Sequence, residues 1–225
     1  VIHEPDFPAC EPWPRIRQLK LEKELMGLFL SGHPLDEYEV EYRYLLRNDI
    51  AAIKEAIADK KSGNVKFAGM VTEAQHRRTK NDKPFGRFTI EDKSENMDIM
   101  LFGENYLKFK HLVNEGAFLT IHGKLDKSFR DPDAKELRLT DMYLLEDLME
   151  KEAKGIKVLI NETQVNTAFI SEFKDFCKLN SGTGKLSIHI QKEDKMLTFK
   201  SGIKINPKMF MRQIAKFPDI SIKLV

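Results

Sequence analysis

Cysteine is nearly missing from this 225-residue sequence, which holds only Cys10 and Cys177. Two cysteines so far apart build neither a disulfide framework nor a zinc-ligand spacing, and a reducing cytoplasm is the expected compartment. No apolar run approaches the roughly eighteen residues of a membrane span, and nothing reads as a signal peptide. Val1 in place of methionine points to a fragment or a processed product. Charge of one sign is also missing: 37 basic and 35 acidic side chains leave a net charge of +2. Uniform attraction to polyanions is thereby excluded, and any contact with phosphate has to be local. Catalytic spacing is absent as well. His33, His76, His111 and His122 have no serine, cysteine or paired carboxylate at a recognisable distance, so no catalytic residue, metal ligand or cofactor is assigned.

What is present is a soluble composition, 32% charged and 41% hydrophobic, with net charge rising from −3 over residues 1–64 to +1 over 65–144 and +4 over 145–225. Val1 to Pro14 carries Pro5, Pro8, Pro12 and Pro14 and reads as extended, with Trp13 packing onto the chain after it. From Arg15 to Leu30 the apolar spacing turns helical, and Gly32 and Pro34 stop it. Ile50, Ile53, Ala56 and Ile57 suggest a second, short helix that Lys60-Lys61-Ser62-Gly63-Asn64 breaks.

The next eighty residues alternate. Val65 to His76, Gly86 to Glu91 and Met97 to Phe102 read as strands, with Met97, Ile99 and Leu101 on one face of the third. Glu104 to Asn114 has helical spacing, and Ala117 to Leu125 and Leu137 to Leu144 return to alternation. Three strands, a helix and two strands is the order of an OB-fold, a small barrel that commonly binds single strands or oligosaccharides. Beyond a charged connector at Leu145 to Lys154, the order is strand (155–160), helix (163–179), two strands (186–191 and 196–200), helix (207–217) and strand (219–225), that of a ferredoxin-like split βαβ unit. The expected fold class is therefore α+β and multidomain. A helical arm over 1–64 precedes a five-stranded OB-fold β-barrel over 65–145, and a small α/β domain over 155–225 completes the order. Cys177, on the apolar face of the 163–179 helix, reads as a small buried hydrophobe.

Glu22-Lys23-Glu24-Leu25-Met26-Gly27-Leu28-Phe29-Leu30-Ser31-Gly32-His33-Pro34-Leu35-Asp36 closely resembles the stretch before the OB domain in the alpha subunit of bacterial DNA polymerase III, the DnaE family. That family carries an E-K-E-x-x-G-x-Y-x-S-G-H-P-L core, with Phe29 here in the aromatic position. Lys80-Asn81-Asp82-Lys83-Pro84-Phe85 resembles the family's basic loop and Phe88-Thr89-Ile90-Glu91-Asp92 its second strand. Two departures stand out: Asp82 replaces the usual loop glycine, and Glu95 the usual turn glycine. The resemblance implies a non-catalytic part of a replicative polymerase, with DNA replication as its setting. Single-stranded DNA at the barrel, the clamp-loader tau subunit at residues 155–225 and other replisome subunits through the full-length protein are the implied partners. In the family, the carboxylates for nucleotidyl transfer and the metal-binding PHP domain lie upstream, and no Gln-x-x-Leu-Phe clamp-binding motif stands here.

Single-strand binders of this fold combine basic groups that track phosphate with aromatic faces that stack bases. Arg77, Arg78, Lys80, Lys83, Phe85 and Arg87 cluster near the loop joining the first two strands. Lys127, Phe129, Arg130 and Lys135 lie near the loop joining the last two, diluted by Asp126, Asp131, Asp133 and Glu136. The bland alternative is that these charges solvate hairpin ends and the phenylalanines plug the barrel. A different function, a stand-alone RNA-binding barrel, is opposed by the Glu22–Asp36 signature. Met209, Phe210, Met211 and Phe217 read either as docking residues for tau or as core.

Overall fold

The computed structural model describes residues 11, 13–128, 131, 133–193 and 195–225. The chain divides into two compact units, Val1–Glu37 and Tyr38–Val225. In the first, helix α1 (Arg15–Met26) begins after Pro14, whose ring fixes φ where a helix begins, and ends at Gly27. Gly27 takes φ +79° and donates its N–H to the Lys23 carbonyl, a left-handed C-terminal cap. The chain then folds back onto α1. Glu22 accepts the N–H groups of Leu30 and Ser31, each at 2.9 Å, and the Ser31 hydroxyl at 2.6 Å. His33 donates its N–H to Asp36 at 2.7 Å, while its Nδ1 accepts the Leu35 N–H at 3.1 Å. The ring of Phe29 meets His33 edge-on at 5.0 Å, with the Lys23 ammonium 4.8 Å from the Phe29 centroid. The signature segment is thus a hydrogen-bonded turn closed on its own helix.

The second unit opens with α2 (Glu39–Tyr44) and α3 (Ile50–Ala58). Strands β1 (Gly63–Arg78), β2 (Pro84–Glu91) and β3 (Asn96–Phe102) come next, then α4 (Gly103–Phe109), β4 (Phe118–Lys127) and β5 (Lys135–Leu144). All pairings are antiparallel in the order β3-β2-β1-β4-β5. The long first strand serves both halves: its start pairs with β4 and its end with β2, and a bulge between Val71 and Glu73 marks the change. Helix α4 bridges toward the other edge, through Asn105 to the Leu139 carbonyl at 3.3 Å and Lys108 to Asp141 at 3.2 Å. Phe67, Phe88, Ile90, Leu101, Leu119 and Ile121 are buried at the centre, closed by Ile50 and Ile53 of α3 and by Tyr106 and Phe109 of α4. Each such side chain contributes about 1.5–3 kcal/mol on burial. The five strands and intervening helix are those expected from the sequence.

Helix α5 (Leu148–Glu152) leads to β6 (Gly155–Asn161), α6 (Thr167–Leu179), β7 (Ser181–Lys192), β8 (Lys195–Ile205), α7 (Pro207–Gln213) and β9 (Ser221–Leu224). Asn166 and Asn206 cap α6 and α7, accepting the Phe169 and Met209 N–H groups at 2.9 and 3.1 Å. The element order is the expected one, but the βαβ unit is not split. β6 and β7 are adjacent and parallel, and the sheet runs β8-β7-β6-β9. Because β7 and β8 pair as a long hairpin, β8 takes the outer edge instead of the slot between β6 and β7. One face of this sheet meets α6 and α7 in a core rich in phenylalanine, where Phe176 and Phe210 lie 4.9 Å apart. Phe210, Met211 and Phe217 belong to that core, while Met209 is 46% exposed. Cys177 is buried and burial pushes its thiol up to about 11, as befits an inert packing residue. Among the described residues no helix is long and apolar enough to cross a membrane.

Candidate nucleic-acid interface

Strand parity decides which side chains of the barrel face outward. In β2 the core takes Phe88 and Ile90, so Phe85, Arg87 and Thr89 point the other way. In β3 the core takes Ile99 and Leu101, leaving Asp98, Met100 and Phe102 outside. Register aligns these into rows across three strands. The first row is Arg77, Phe85 and Phe102; the second is Gln75, Arg87 and Met100; the third is Glu73, Thr89 and Asp98. Phe85 and Phe102 stack with centroids 5.5 Å apart and planes within 16°. Phe102 and Met100, neighbours on the outer face of β3, are each 51% exposed.

Charge is graded along these rows. At the far row Asp98 holds Arg87 at 2.6 Å and accepts the Thr89 hydroxyl at 2.6 Å. The Thr89 hydroxyl, and after it Arg87, hold the Asp98 carboxyl below its usual range; Asp98 in turn raises Arg87. Toward the hairpin tip the surface becomes cationic. Asp82 takes φ +57° there, a left-handed conformation that aspartate tolerates in the place of glycine, and bonds Arg78 at 2.8 Å. The tip is closed by the Lys83 N–H to the Thr79 hydroxyl at 3.1 Å and the Thr79 N–H to the Lys83 carbonyl at 2.8 Å. Arg78 is therefore tied to the loop, whereas Arg77, Lys80 and Lys83 make no ion pair among the described residues. Glu95 needs no left-handed backbone, because Asp92 shapes that turn by accepting the Ser94 and Glu95 N–H groups.

The structure brings together Arg77, Arg78, Lys80, Lys83, Phe85 and Arg87 on one hairpin. It does not bring Lys127 and Lys135 to them. β4 pairs with the first half of β1, with Leu125 opposite Gly63, and runs on past that end into its turn to β5, whereas the first hairpin turns beyond Arg78, so the two loops lie past opposite ends of β1. Lys135 donates to the Ser62 hydroxyl at 2.6 Å, and Asp126 draws Lys124 and Arg138, each at 3.7 Å. Phe129 and Arg130 lie outside the described residues. Sequence reasoning missed Phe102 and Met100. Their signal was available in the alternation itself, since large apolar residues fall on the face of β3 opposite its core.

His76 and His122 serve the barrel wall. His76 contacts the Tyr106 hydroxyl at 3.3 Å, and His122 contacts the Tyr143 hydroxyl at 3.0 Å and Glu152 at 3.2 Å. Lys66 completes the latter cluster by pairing with Glu152.

Several known proteins are similar to parts of this chain. The model of the OB-fold nucleic acid binding domain family (tRNA_anti-codon) matches residues 65–145. The chain is 24% identical over 201 residues to DNA polymerase III subunit alpha of Escherichia coli (strain K12), covering 88% of this chain. It is 26% identical over 193 residues to the subunit of the same name from Vibrio cholerae, covering 85%. Relatives named DNA polymerase III subunit alpha thus match 85–88% of this chain at 24–26% identity. It spans only 17% of the E. coli relative and 16% of the Vibrio one. Among solved structures, the mitochondrial single-stranded DNA binding protein Rim1 from S. cerevisiae is similar over 37% of this chain and 95% of its own, with TM-score 0.29 and 17% identity. Entamoeba histolytica asparaginyl-tRNA synthetase is similar over 39% of this chain and 23% of its own, with TM-score 0.28 and 19% identity.

Proposed function

We propose that this chain is the non-catalytic C-terminal part of a replicative DNA polymerase III alpha subunit, acting in the cytoplasm, with an arm (1–64), a template-contacting barrel (65–145) and a clamp-loader-docking domain (155–225). The observation that carries the barrel reading is the row Arg77–Phe85–Phe102. It sets a stacked aromatic pair beside a guanidinium that has no ion pair among the described residues, with Lys80 and Lys83 beyond it. Bases stack on such rings whatever their identity, and the cations track phosphate, which suits contact with a passing template. Nothing among the described residues of the face is built to read base edges.

The test is fluorescence anisotropy of the chain with a labelled single-stranded oligonucleotide across a salt series, compared with the Arg77→Ala, Lys80→Ala, Lys83→Ala triple variant. Removing one phosphate contact flattens the salt slope by roughly 0.7 for a single strand. An unchanged slope removes the hairpin from the site. Tighter binding of a structured RNA than of single-stranded DNA favours the RNA-binding alternative.

For the tau subunit, support comes from a groove of mixed character, lined by Val40, Tyr44, Met211, Phe217 and Ile222 together with the charged Glu39 and Arg43. Tyr44→Glu places a charge in that groove and lowers capture of purified tau; full capture by the variant moves the docking site elsewhere.

A further inference from the structure

The second sheet has helices on one face only. On the helix side lie Ile156, Val158, Ile160 and Leu186, all buried. Register puts a different set on the other side. Lys223 of β9 pairs with Lys157 of β6, Lys157 with Ser187 of β7, and Ser187 with Lys200 of β8, so one row crosses all four strands. Lys185 pairs with Lys204 in the adjoining row toward the start of β7. His189, bonded to Thr198 at 3.0 Å, stands in the row on the other side. The five lysines are exposed, and none makes an ion pair among the described residues.

No aspartate or glutamate occurs in any of the four strands. The nearest acid beyond β6, Glu162, is taken up by Lys192 at 2.7 Å. Strands about 4.8 Å apart make the four-strand row roughly 14 Å wide. Like charges packed this closely repel one another, and a sheet face that keeps them without acids is matched to an anionic surface.

We infer that this open sheet face binds the phosphodiester backbone of duplex nucleic acid. The face offers no phenylalanine, tyrosine or tryptophan among the described residues; beside the ring of His189, its large apolar groups are Met196, 59% exposed, and the half-buried Leu159. It therefore lacks the stacking component that single-strand binding uses. A duplex presents one charge per about 1.7 Å of axis, twice the density of one strand, and suits a broad cationic surface that reads no base. This site is separate from the barrel hairpin in residues and in substrate, so either reading can fail without the other.

The test compares the full chain with a Lys157→Gln, Lys200→Gln, Lys223→Gln variant. Anisotropy is read with a labelled duplex and with a labelled single strand between about 50 and 200 mM salt. Removal of three phosphate contacts flattens the duplex salt slope by about 2.7, so across that range the variant loses roughly 40-fold less affinity than the parent. Single-strand binding stays within about twofold, and circular dichroism is unchanged because all three side chains are exposed. An unchanged duplex slope overturns the inference. So does equal loss of single-strand binding. Tighter binding of polyglutamate than of duplex overturns it in favour of an acidic protein segment.

Discussion

Phe85 and Phe102 stack 5.5 Å apart on the outside of the barrel, although both strands that carry them have full apolar faces inside. The pair is thus surplus to the core. Phe102→Ala is expected to weaken single-strand binding by about 1–3 kcal/mol, the range for one stacked base. Phe88→Ala, in the same strand as Phe85 but fully buried, is expected to cost about 3–5 kcal/mol of stability instead. Anisotropy and thermal melts on the two variants separate binding from folding. A Phe102→Ala protein that melts early yet binds normally assigns the ring to packing.

Much of this arrangement is legible in the sequence. Period-two spacing locates all five barrel strands, because each has a core face of branched or aromatic residues such as Phe88 and Ile90. The hairpin cations are adjacent in sequence, so their clustering needs no long-range contact to foresee. Strand order is a different matter. Whether β7 or β8 lies beside β6 depends on which edges pair, and the local spacing of Leu186 or Ile188 is the same in both topologies. The distance between the two barrel loops is hidden for the same reason, since it depends on β1 pairing with β4 over its first half and β2 over its second. The lysine row across the second sheet is invisible until registers are known: Lys157, Lys200 and Lys223 are scattered over 67 positions.

Gly69 sits where β1 passes from β4 to β2. A methyl group there would lie 2.6 Å from the Glu91 carbonyl oxygen and 2.7 Å from the Ile90 side chain. Backbone on one side and core on the other leave no room to yield. Gly69→Ala is expected to cost about 1–3 kcal/mol by overpacking. Gly202→Ala meets nothing within 4 Å and is expected to stay within about 0.5 kcal/mol of the parent. Denaturant unfolding of the two variants is the measurement, and equal midpoints contradict the close approach.

Asp92 ties α3 to the β2–β3 turn. One carboxylate oxygen accepts the Ile50 N–H at 2.7 Å, and the other accepts Ser94 and Glu95 N–H groups at 2.7 and 3.0 Å. Asp92→Ala leaves the buried Ile50 N–H without its acceptor, at a cost of about 1–3 kcal/mol. Hydrogen exchange checks where the damage falls: protection drops at the start of α3 while the β1–β4 pairing keeps its own. Uniform loss across the barrel contradicts a local role.

Glu22 is half-buried against the turn it binds, and its carboxyl is held at about 2 rather than its ordinary 4.5. The Ser31 hydroxyl is the largest cause, with the Ser31 N–H second, and both bonds favour the charged form. A depressed carboxylate contributes stability that is complete above its ordinary value of 4.5 and is lost as pH falls from there through about 2. The turn from Leu28 to Ser31 is therefore expected to stay closed on α1 in mild acid and to open only near pH 2. Nuclear magnetic resonance reads this directly through the amide shifts of Leu30 and Ser31, which titrate with the Glu22 carboxyl. Glu22→Gln abolishes that titration, and Ser31→Ala moves its midpoint upward toward 4.5 by removing the hydroxyl. A parent midpoint already near 4.5 refutes the hydrogen-bonded turn as the source of the depressed carboxyl.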